Sequence, residues 1–108
     1  MALSKDEVIK IAIGFLDLIR QNYDVRQAYL FGSFTKGVAK DYSDVDLAII
    51  LGSQEVSGES PFDEKFKIFH EGQKYNSLLE VVCFGQEEYD QDGGSLVMQI
   101  KKEGFRLI

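Results

Sequence analysis

Apolar residues recur at helical intervals near the start of the chain. Val8, Ile11, Ala12, Phe15 and Ile19 share one face of a 3.6-residue period, and Ser4 followed by Glu7 has capping-box spacing. This predicts a helix from about Lys5 to Gln21 whose apolar stripe needs a sheet to cover. Val25 to Phe31, Val45 to Leu51 and Leu78 to Phe84 are short runs rich in β-branched and aromatic residues, and they read as three strands. A loop from Gly52 to Ser60 leads into Ser60-Pro61, an N-cap and first helical residue, and a helix to about Gln73 with Phe62, Phe66 and Phe69 on one face. After the third strand, Gln86 to Tyr89 fits a short turn of helix. Ser95 is expected to cap a last helix that carries Leu96, Val97 and Ile100 and stops at Gly104. Phe105 to Ile108 is too brief to separate an edge strand from a packed tail. The order is that of an α/β chain.

With 108 residues, 44% of them hydrophobic, the chain has material for one compact core, and one domain over 1–108 is expected. A net charge of −6 excludes an extended nucleic-acid-binding surface, because such surfaces are built from clustered Lys and Arg. The longest uninterrupted apolar stretch, Leu47 to Leu51, is far short of the ~20 residues that cross a bilayer. Met1-Ala2-Leu3-Ser4 lacks the regions of a signal peptide, so a cytoplasmic protein with no membrane partner is expected. Cys83 is the single cysteine, and inside Val81-Val82-Cys83-Phe84 it reads as a small buried hydrophobe.

The chemistry concentrates between Leu30 and Ile50. A strand ending at Gly32-Ser33 and turning into Phe34 to Val38 presents backbone N–H groups at a turn, where anions bind, and glycine permits close approach of a phosphate. A Gly-Ser turn after a strand is also a common plain turn. Ten residues beyond Ser33 come Asp44 and Asp46, two apart on a predicted strand, so both carboxylates point to one face. Like charges so placed repel each other until a cation sits between them, and hard divalent cations take carboxylate and phosphate oxygens together. The bland alternative makes Asp44 a strand-entry residue and leaves Asp46 facing solvent. Glu80, an acid inside the otherwise apolar run Leu79 to Cys83, is a third candidate; its alternative is an outward position on an alternating strand.

Gly32-Ser33-Phe34-Thr35-Lys36-Gly37 followed by Ser43-Asp44-Val45-Asp46-Leu47 resembles the Gly-Ser, ten residues, Asp-x-Asp signature of the DNA polymerase β nucleotidyltransferase superfamily, and most closely its minimal nucleotidyltransferase (MNT) members. The resemblance extends over nearly the whole chain, including an ending similar to Ile100 to Ile108. It implies the nucleotidyltransferase fold, a small mixed sheet of three or four strands flanked by helices. It implies Asp44, Asp46 and Glu80 as catalytic residues and metal ligands, with Gly32, Ser33, Lys36 and Ser43 at the nucleotide. Two Mg²⁺ ions about 3.5–4 Å apart and ATP as donor are the implied cofactors, for transfer of a nucleotidyl group to a hydroxyl. Glu80, or whichever acid lies nearest the acceptor, would take the hydroxyl proton. The implied partners are a nucleoside triphosphate and a separately encoded HEPN-type or substrate-binding helical protein, some such pairs being toxin and antitoxin, in a homo- or hetero-oligomer. Lys36 stands where many members have Arg, and Glu80 where many have Asp.

A Walker A loop is excluded, because Val38 and Ala39 occupy the positions of its Lys and Ser or Thr. A dehalogenase-like phosphatase also uses Asp-x-Asp but needs a much longer chain. A non-catalytic module of the same fold, binding a helical partner, is the alternative from a different class; the intact Asp44 and Asp46 speak against it. His70 reads as an ordinary helix residue, and Glu87, Glu88, Asp90 and Asp92 as a solvated charged face. Tyr29, Phe31 and Phe34 flank the Gly-Ser turn, where a ring stacks on a base or, more commonly, joins the core.

Overall fold

A computed structural model describes residues 4–32, 44–52, 61–91 and 94–108. Its elements are α1 (Lys5–Ile19), β1 (Val25–Phe31), β2 (Val45–Leu51), α2 (Pro61–Tyr75), β3 (Leu79–Gly85), α3 (Gln86–Asp90), α4 (Ser95–Glu103) and β4 (Phe105–Arg106). The strands form one mixed sheet in the order β3-β2-β1-β4. β1 is antiparallel to β2 and to β4, and β2 is parallel to β3 through the crossover that contains α2. Phe105 and Arg106 therefore pair with Leu30 and Tyr29, which makes the tail an edge strand.

The ends of α1 follow from local hydrogen bonds. Ser4 Oγ accepts from Glu7 N at 3.2 Å while Ser4 N donates to Glu7 Oε1 at 3.0 Å, so the predicted capping box forms. The helix closes at Ile19, two residues before the expected end, because the N–H groups of Asn22 and Tyr23 turn back to its carbonyl.

The period of two along β2 separates two apolar layers. Val45, Leu47, Ile49 and Leu51 point to one face and meet Val8, Ala12, Phe15, Leu16 and Ile19 of α1 and Ile68 of α2. Ala48 and Ile50 point to the other and meet Tyr89 of α3 with Val97 and Ile100 of α4. From Leu47 to Leu51 β2 is thus apolar throughout because both faces are covered, as a central strand requires. Leu47→Ala would cost about 2–5 kcal/mol through lost contacts and the cavity left behind.

Three sequence expectations are corrected. α2 buries Ile68 and Gly72, not the row predicted from its aromatics: Phe66 and Phe69 are exposed, and both lie edge-on to His70. The helical stripe that fits the sheet is the one with small or branched residues, since Gly72 lets Val81 and Phe15 approach the helix backbone. Ser95 is the first residue of α4, and the cap is Gly94, whose φ of +123° is open to glycine alone. Cys83 is half-buried, packed at the margin of the α1 layer. The expected turn at 34–38, the Ser60 cap and most of the 52–60 loop lie outside the described residues, as does the Phe62 side chain.

Candidate active site

The face of the sheet that carries α3 and α4 is a grid of cross-strand neighbours. Tyr29, Ala48 and Val82 form one row, and Gln27, Ile50 and Phe84 the next. The row at the other end is Phe31, Asp46 and Glu80, where β1 finishes and β2 and β3 begin. Strand parity puts Asp44 on the same face, one step beyond. An oxygen from each of Asp44, Asp46 and Glu80 lies within 4.8 Å of the others, and this is the one such acidic group among the described residues. The predicted acids converge.

Asp44 and Asp46 are half-buried and Glu80 is exposed. Glu80 is the second residue of β3, exposed between buried Leu79 and Val81. Its side chain nonetheless turns to Asp46. The Asp46 carboxyl is pushed up from 3.8 to about 6, first by burial, then by its hydrogen bond with Glu80 and by repulsion from Glu80 and Asp44. Burial and neighbouring carboxylates thus act in the same direction on Asp46.

Gly32 closes β1 with φ +68°. A Cβ built there would collide with Asp46 Oδ2 and lie 3.1 Å from its Cγ. The glycine is therefore required twice, by its backbone conformation and by the carboxylate against it. Ser33, Lys36 and Ser43 lie outside the described residues.

Hard divalent cations bind oxygen, and the donor set here is three carboxylates. Ligands on opposite sides of a Mg²⁺ ion stand about 4.2 Å apart, twice the ~2.1 Å bond, so a cluster spanning no more than 4.8 Å has the right size to close on a cation. Glu87, Glu88 and Asp90 do not make a second cluster. Glu88 accepts from Lys65 Nζ at 3.0 Å and from Gly85 N at 3.2 Å, tying α3 to α2, and Asp90 accepts from Gln86. Sequence reasoning treated these acids as a solvated face and missed the role of Glu88, since Gly85 before it offers no N-cap side chain to signal a helix start.

Residues 16–107 match the family described as polymerase beta, nucleotidyltransferase, and the chain belongs to that family. No curated protein matches it. Among solved structures it is similar to a candidate nucleotidyltransferase from Sulfolobus solfataricus, with TM-score 0.60 and 17% identity over 81% of this chain and 75% of that one. It is also similar to a chain of the Shewanella oneidensis complex of tri-AMPylated HEPN toxin with MNT antitoxin (TM-score 0.57, 18% identity, 94% of this chain and 71% of that one). A third similar structure is the toxin-antitoxin pair MntA-HepT (TM-score 0.54, 16% identity, 92% and 70%). At these identities the likeness is one of fold, and the fold is the small mixed sheet with flanking helices that the family resemblance implies. No helix among the described residues is long and apolar enough to cross a membrane.

Proposed function

We propose that this chain is a divalent-metal-dependent nucleotidyltransferase that moves AMP from ATP to a hydroxyl on a partner macromolecule. The observation that carries the reading is the convergence of Asp44, Asp46 and Glu80 beside a glycine that leaves the Asp46 carboxylate uncovered. Mg²⁺ held there would neutralise the triphosphate and stabilise the departing pyrophosphate. Asp44 and Asp46 are its ligands, and Glu80 completes the set. The Gly32 turn, with Ser33, Lys36 and Ser43, holds the phosphates, using backbone N–H groups and a cation. The acceptor oxygen attacks the α-phosphorus and forms the new P–O bond. The bond from that phosphorus to the bridging oxygen breaks, and pyrophosphate leaves. The hydroxyl proton goes to Glu80 or to whichever acid lies nearest the acceptor.

The partner is a separately encoded helical protein of the HEPN type, and the chain is its antitoxin. Two of the similar structures support this, because their complexes pair such chains and one holds a tri-AMPylated toxin. The test incubates the protein with the product of its neighbouring reading frame, ATP and Mg²⁺, and reads the mass of the neighbour. A gain of one or more AMP units that disappears with Asp46→Asn is expected. A wild-type protein that binds the neighbour tightly and modifies nothing would replace this reading with the non-catalytic interaction module.

A further inference from the structure

Phe31 is the one apolar member of the row that carries the acids. It stands directly across the strands from Asp46, on the same face, with Glu80 on the far side. The ring behind it on β1, Tyr29, is occupied: it stacks on Tyr89 with centroids 5.9 Å apart and planes at 23°, and Lys101 sits 4.7 Å above the Tyr89 ring. Phe31 packs against the same layer but remains half-buried, so part of its surface is open, in the row that holds the carboxylates. The next residue, Gly32, carries no side chain.

An exposed aromatic surface next to a crowded carboxylate group is unfavourable for those charges, since a ring neither hydrates nor neutralises them. The same surface suits a ligand that is anionic at one end and flat and apolar at the other. We infer that Phe31 is the platform on which the nucleoside of the substrate stacks while its phosphates reach the acid row. The inference rests on the nucleotidyltransferase reading above and names the residue that holds the non-phosphate end. Stacking uses the ring face that every base possesses, so Phe31 contributes similarly for all four nucleotides.

Equilibrium binding of Mn²⁺-ATP, Mn²⁺-CTP and Mn²⁺-tripolyphosphate to the wild type, Phe31→Ala and Phe31→Tyr tests this, with thermal melts of each variant alongside. Phe31→Ala should weaken both nucleotides by about 5- to 100-fold, the range of one lost base-aromatic stack, and leave tripolyphosphate binding unchanged. Phe31→Tyr should recover most of the loss. Equal nucleotide binding by the wild type and Phe31→Ala would overturn the inference while leaving the nucleotidyltransferase reading intact. A parallel loss for tripolyphosphate would also overturn it, by assigning Phe31 to the shape of the acid row. A wild type that binds none of the three ligands would remove the nucleotidyltransferase reading and this inference with it.

Discussion

Asp46→Asn should make the metal-free protein more stable while removing its capacity to bind a divalent cation. Asparagine keeps the outline of the side chain and deletes the charge. In the folded protein the Asp46 carboxyl titrates at about 6 against an ordinary 3.8, which corresponds to at most ~3 kcal/mol against the ionised form. Asp46 is only half-buried, and solvent screening reduces this to about 1–2 kcal/mol. The folded value is raised, so the penalty is complete above pH 6, where the carboxyl is ionised in both states. As pH falls from about 6 to about 4 the folded protein takes up a proton that the unfolded chain does not, and the penalty fades. Urea denaturation in EDTA should therefore give Asp46→Asn an advantage of about 1–2 kcal/mol at pH 8 that has vanished near pH 4. For a domain of this size that is roughly 4–16 °C in melting temperature. With Mg²⁺ at pH 8 the order narrows or reverses, because a ligand that binds only the native wild type stabilises it by mass action. A variant less stable than the wild type at pH 8, or an advantage that does not change with pH, would refute the electrostatic account of the site.

Glu80→Gln removes one of the two carboxylates that oppose ionisation of Asp46 but not its burial. A ¹³C carboxyl titration should find Asp46 below 6 and still above its ordinary value. Gly32→Ala places a Cβ at φ +68° against the Asp46 carboxylate; it should cost about 1–3 kcal/mol in urea denaturation and weaken Mn²⁺ binding, whereas a harmless substitution would contradict the close approach. Phe66→Ser should change stability by no more than about 0.5 kcal/mol, while Ile68→Ala, two positions away, should cost about 2–5 kcal/mol by the same measurement.

Strand parity and the spacing of the acids were legible because they depend only on local geometry. Asp44 and Asp46 share a face wherever an extended backbone carries them, and Ser4 and Glu7 form a capping box without reference to the rest of the fold. What could not be read depends on which surface of an element meets the sheet. In α2 the aromatics Phe66 and Phe69 outweigh Ile68 and Gly72 in apolar area, yet the sheet accepts the flatter stripe, because Gly72 admits Val81 and Phe15 to the helix backbone. The exposure of Glu80, one of the two alternatives its strand offered, is decided in the same way. Its neighbours Leu79 and Val81 are buried by α2 and α1 on one face, while Glu80 points to the opposite face at the end where α3 and α4 do not reach.

That end effect explains why the site lies where it does. On the α3 and α4 face, cover over Ala48 and Ile50 is supplied by Tyr89, Val97 and Ile100, and of the acid row Phe31 alone packs against that layer. Carboxylates placed one row further in would be enclosed by this apolar layer, at a cost of several kcal/mol per unpaired charge. Placed one row further out they would leave the sheet, and only the backbone of the central strand and its neighbours holds such side chains in a fixed relation. In the acid row three strands fix the geometry and solvent still reaches the charges. Asp46 carries the strain of that compromise, since it alone stands between β1 and β3 with Gly32 on one side and Glu80 on the other. On the metal-dependent reading proposed above, a cation held by the row would relieve this repulsion, and the free energy that crowding withholds from the metal-free fold would return as binding free energy.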